Sequence, residues 1–228
     1  MNDEILVNPY TSIRLFAKTY LAFGNSVITN SKYKVTREAW IASMFLIALN
    51  QQSKSEWWLT PVLKSGSPDF NCYSFTRSSD GSFTNRSLLK LEVFEWRKEQ
   101  DETDFLEALK RIKLRKIVDP EITIVCYVCR NSLIPSAIEL NPKLKALNPH
   151  VKDIWYLGDV SGDATIWRVT QLYPITLAID INYDQILQTK ETHSFLHAYR
   201  DKSDKLEFEP TGKKVLLTPE FNLKLEDS

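Results

Sequence analysis

Asp69 stands directly behind Pro68, and further on Glu95, Trp96 and Arg97 close a run of aliphatic and aromatic residues that begins near Leu88. Carboxylates are hard oxygen ligands. Two of them converging from neighbouring strands, with a main-chain carbonyl between, suit Mg2+ or Mn2+. An ion held that way activates water and neutralises the charge that develops on a phosphodiester. The chemistry these residue types offer is therefore metal-assisted hydrolysis, with Asp69 and Glu95 as the metal ligands.

Such a site needs strands to deliver it. In an extended strand side chains alternate, so Leu89, Leu91 and Val93 share a face with Glu95 and Arg97, while Lys90, Glu92, Phe94 and Trp96 point the other way. Three aliphatics bury the start of the first face, and the change to Glu95 and Arg97 places charge at its far end. The segment FNCYSF, which starts just after Asp69, predicts the preceding strand, with Ser79-Asp80-Gly81 as the turn. If the two strands pair antiparallel, Asp69 arrives beside Glu95.

The remaining elements follow from periodicity. Apolar spacing predicts a helix from Pro9 to Phe23 stopped at Gly24-Asn25, and a second helix capped by Thr36 and apolar nearly all round. WWLTPVLK reads as a strand, a helix runs from about Thr103 to Lys116, and ITIVCYVC has the length and composition of a central strand. A short irregular helix before Pro149, a hairpin across Ser161-Gly162-Asp163 and a strand at LAIDI complete the pattern. The expectation is a single α/β domain over residues 1–228, a mixed central sheet flanked by helices. A core spans about residues 36–130, with an N-terminal extension and a β-rich C-terminal extension over about 150–228. The core reads helix, strand, strand, strand, helix, strand.

Pro68-Asp69 followed by Glu95-Trp96-Arg97, in that element order, resembles the PD-(D/E)xK motif of restriction-endonuclease-like nucleases. The resemblance covers about Thr36 to Cys129. It implies a metal-dependent DNA endonuclease in which Asp69 and Glu95 hold Mg2+ or Mn2+, and Glu38, from the preceding helix, joins as a further ligand. Arg97 stands where the motif has lysine; arginine stays protonated, so it stabilises phosphate charge but is no general base. A register with Glu92 as the ligand is open too, although no basic residue follows it at the motif's spacing. The other consequence of Arg97 is a catalytically inactive, nuclease-like scaffold that binds protein or nucleic acid partners, with Trp57 and Trp58 among the docking residues.

Charge bears on partners. Lys and Arg total 29 and Asp and Glu total 29, so no global field draws a polyanion. Contact with DNA has to be local, and Lys110, Arg111 and Lys113, which follow the site in sequence, are the nucleic-acid-binding candidates. Target choice would then come from protein partners, as in a multicomponent transposition or defence system. No apolar stretch has the length of a membrane span, and MNDEILVNPY lacks a signal's basic start, so the expected location is cytoplasmic. Cys72, Cys126 and Cys129 are an odd set that predicts no disulfide. His193 and His197 would share a helix face, but no third zinc ligand accompanies them.

Overall fold

The computed structural model describes residues 4–53, 55–62, 66–77, 83–97, 104–129, 136–200, 206–211 and 214–225. β1 (Glu4–Val7) leads into α1 (Pro9–Phe23), α2 (Ser26–Thr29), α3 (Lys34–Gln52), β2 (Glu56–Pro61), β3 (Phe70–Arg77) and β4 (Phe83–Arg97). Then come α4 (Phe105–Leu109), β5 (Ile122–Cys129), α5 (Ala137–Leu147), β6 (Asp153–Asp159), β7 (Ile166–Tyr173) and β8 (Leu177–Asn182). α6 (Tyr183–Gln188), β9 (Phe195–Arg200), β10 (Leu206–Pro210), β11 (Val215–Leu217) and β12 (Leu223–Leu225) close the chain. The protein is mixed α/β, with sheet flanked by helices, as the alternation of patterns predicts. The turn at Ser79-Asp80-Gly81 lies outside the described residues. The chain forms two compact units, one of Met1–Leu63, Phe70–Leu88 and Gln185–Ser228, the other of Lys64–Asp69 and Leu89–Asp184.

In the first unit β10, β9, β1, β2 and β3 pair antiparallel in that order. α1 starts where expected, because the Asn8 side chain accepts the Tyr10 N–H at 3.0 Å and Pro9 fits the first helical position. Gly24, at φ 58°, ends it in a conformation other residues resist. α3 begins at Lys34, earlier than a Thr36 cap would place it, and the Thr36 hydroxyl donates instead to the Pro219 carbonyl at 2.5 Å. Every residue of α3 from Thr36 to Ala48 is buried, Glu38 included. Arg37 meets that burial by donating to the carbonyls of Val27 and Asn30, each at 2.8 Å.

Glu191 ties α1 to the segment before β9. The Arg14 guanidinium pairs with it, and the Thr11 hydroxyl donates to it at 2.7 Å. Burial alone would raise the Glu191 carboxyl, but these hydrogen bonds outweigh it and hold the group below its ordinary 4.5. A depressed carboxylate stabilises the fold above its unfolded pKa, and that contribution fades as pH falls through the lower folded value. Unfolding midpoints followed downward from pH 5 should therefore drop more steeply in the wild type than in Glu191→Gln.

The second unit pairs β4 with β5 and β5 with β6 in parallel, then β6 with β7 and β7 with β8 antiparallel. One face of this mixed sheet carries Phe94, Trp96, Ile122, Ile124 and Cys126 against Phe105, Ala108 and Leu109 of α4 and Leu140 and Leu144 of α5. The segment before Pro149 forms a regular helix rather than an irregular one, because Ser136 and Glu139 make a capping box that secures its first turn despite Pro142 inside it. The helix expected over Thr103 to Lys116 begins later and widens. Asp104 caps α4 by accepting the Glu107 N–H at 3.0 Å, and Lys110–Leu114 then form a π-turn in which the Arg115 N–H reaches the Lys110 carbonyl at 3.1 Å.

Phe105 anchors this helix, its ring 5.7 Å from that of Trp96 and 6.4 Å from that of Phe94. Truncating a fully buried phenylalanine removes its transfer free energy and leaves a cavity. Phe105→Ala should cost about 3–5 kcal/mol in urea unfolding.

Candidate active site

The main chain fixes Asp69 against β4. Its N–H donates to the Leu91 carbonyl at 3.0 Å, and its Oδ2 accepts the Val93 N–H at 2.8 Å. The aspartate thus brackets Glu92, which lies on the same sheet face as Phe94 and Trp96 and is only 7% exposed. Onto this pair comes Lys113 from the π-turn. Its ammonium donates to Glu92 Oε1 and stands 3.9 Å from Asp69 Oδ2. It also lies near Cys126, whose thiol is pushed up by burial and pulled back by the Lys113 charge.

Among the described residues, Glu92 Oε2 is buried with no hydrogen-bond partner. Leaving a buried carboxylate oxygen unsatisfied costs free energy, so water, an ion or a polar ligand group is the natural partner for such an atom. Asp69 and Glu92 are the carboxylates that could offer oxygens to a hard divalent cation, and the Lys113 ammonium already pairs with them; among the described residues no group of three or more His, Cys, Asp or Glu gathers at one point.

The pairing of Asp69 with Glu95 is corrected by this register. β4 starts at Phe83 rather than near Leu88, and Asp69 meets its middle, at Leu91 to Val93. The displacement from Glu95 to Glu92 is an odd number of residues, so it exchanges the face of the sheet as well as the position. Glu95 lies on the other face, where Arg97 donates to it as an ion pair. Arg97 therefore stands with Glu95 rather than with Asp69. Glu38 belongs to α3 of the first unit, where it is buried and 3.3 Å from the Lys34 ammonium.

Of the basic residues expected to hold nucleic acid, Lys110 pairs with Glu107 at 2.6 Å, Arg111 is exposed, and Lys113 points inward to the carboxylates. Lys113, expected from the sequence to face nucleic acid, instead pairs with Glu92 and Asp69, a placement that strand spacing does not give. A signal for it existed: Leu109, Lys113 and Ile117 recur every four residues, and the flanking two are buried, so a lysine occupies a core-facing position. The histidine pair is not helical. His197 sits on β9 with Nδ1 3.5 Å from Glu209, and His193 precedes the strand. Cys72 and Cys126 are buried free thiols, while the Cys129 side chain lies outside the described residues. Trp58 is fully buried against Leu6, Phe75 and Leu196, and Trp57 is partly exposed. Among the described residues no helix is long and apolar enough to cross a membrane.

No protein-family model matches the chain, and comparison with curated proteins and with solved structures gives no significant match.

Proposed function

We propose that this protein is a metal-dependent endonuclease cleaving DNA phosphodiester bonds, with Asp69 and Glu92 as the carboxylate ligands of Mg2+ or Mn2+ and Lys113 as their cationic partner. The observation that carries the reading is the buried, unclaimed Glu92 Oε2 beside a backbone-fixed Asp69 with an ammonium seated at both. The order α3, β2, β3, β4, α4, β5, with β2 and β3 antiparallel and β4 and β5 parallel, supports a restriction-endonuclease-like core.

A cation bound by the two acids supplies Lewis-acid activation of water and neutralises charge on the phosphodiester. Asp69, held by main-chain hydrogen bonds, gives the site a ligand that needs no reorganisation. Lys113, a point charge on a flexible stem, reaches a non-bridging phosphate oxygen and holds it for in-line attack. Lys110, once released from Glu107, and Arg111, on the same turn, would neutralise flanking phosphates. The balanced net charge leaves target choice to protein partners.

Incubation of purified protein with supercoiled plasmid and Mg2+ or Mn2+ tests this, with EDTA and Asp69→Asn as controls and a structured RNA as the second substrate. Metal-dependent nicking lost in Asp69→Asn is the expected result. Activity surviving both Asp69→Asn and EDTA overturns the assignment, and cleavage of RNA alone corrects the substrate. No cleavage with any cation, with or without partner proteins, leaves the inactive scaffold.

A further inference from the structure

The Lys113 ammonium occupies the place a cation would need. It bonds to Glu92 Oε1, stands 3.9 Å from Asp69 Oδ2, and is itself only 17% exposed. Asp69 is anchored through Val93 and Leu91, and Glu92 lies buried on the neighbouring strand. Lys113, on the flexible four-carbon stem of a side chain projecting from the π-turn, is the mobile member. An ammonium and a divalent ion at the same oxygen repel across a few ångströms in a medium that screens them weakly.

We propose that Lys113 is a built-in competitor for the metal ion: the ion enters the Asp69 and Glu92 pair only as the ammonium leaves, and a phosphodiester bound at the site captures the released ammonium. This rests on the metal-binding reading of Asp69 and Glu92. Until substrate arrives, the lysine neutralises the acids and keeps cation affinity low. When a phosphate accepts the ammonium, the carboxylates are released together, so cation and nucleic acid strengthen each other's binding by the same factor. The site thereby assembles on its substrate rather than before it.

Titration of Mn2+ into the protein, with free ion counted by electron paramagnetic resonance, tests competition without relying on cleavage. Lys113→Met should bind Mn2+ about tenfold or more tightly than the wild type, because the competing charge is gone. Lys113→Arg, which keeps the charge and guards against a folding defect, should stay near the wild-type affinity. A duplex with nuclease-resistant phosphorothioate linkages should tighten Mn2+ binding to the wild type several-fold and have little effect on Lys113→Met. Equal Mn2+ affinity in wild type, Lys113→Met and Lys113→Arg overturns the competition while leaving the metal site intact. Absence of Mn2+ binding in all three, with and without the duplex, overturns the metal reading and the competition with it.

Discussion

On the proposed assignment of Glu92 as a metal ligand, Glu92→Gln should lower metal-dependent cleavage by at least about 100-fold, while Glu95→Gln stays within about threefold of the wild type. The two glutamates differ by face, not by chemistry. Glu92 shares Lys113 with Asp69 and keeps one oxygen unclaimed, whereas Glu95 is paired to Arg97 on the other side of the sheet. Glutamine preserves shape and removes the charge a cation needs, so the comparison isolates ligation from packing. Single-turnover cleavage of a labelled duplex at several Mn2+ concentrations measures it. If Glu95→Gln shows the large loss and Glu92→Gln the small one, the site lies at Glu95 and Arg97.

The second large effect is on stability. Lys113→Met removes the partner of a buried carboxylate, and breaking such a pair costs about 3–5 kcal/mol, since the remaining charge is uncompensated. Replacing both members removes that penalty. Glu92→Met combined with Lys113→Met should recover most of the loss in urea unfolding and can exceed the wild type, because a well-packed apolar pair often matches or surpasses a buried ion pair. The double variant should have no cleavage activity. Additive losses in the single and double variants would show that Glu92 and Lys113 do not interact.

Much of the architecture was legible because its signals are local. Asn8, Pro9 and Gly24 bound α1 from within a few residues, and the apolar run of β5 announces a strand covered on both faces. Asp69 could be picked out by its place at the entry to a strand. Its partner could not be fixed, because register depends on how far β4 extends, and the five residues from Phe83 to Ser87 lack the aliphatic pattern that marked the rest. Alternation did put Glu92 on the Phe94 and Trp96 face. What was missing was the basic residue, which comes from a helix rather than from the strand and is invisible to any strand-based spacing. The position of Lys113 between Leu109 and Ile117 carried the clue, since a charged group in a core-facing row needs a charged counterpart.

The π-turn at Lys110–Leu114 has a consequence for how the chain can vary in length. Each residue of an α-helix advances the side-chain direction by about 100°, so deleting one residue from this turn would tighten its pitch but swing the lysine's azimuth away from the acids. An added residue would do the same in the opposite sense. Surface loops usually tolerate insertions and deletions at little thermodynamic cost. Between the Asp104 cap and Ile117 the spacing should instead be rigidly constrained, because a single-residue indel that parts Lys113 from Glu92 leaves a buried carboxylate without its counter-charge and costs stability.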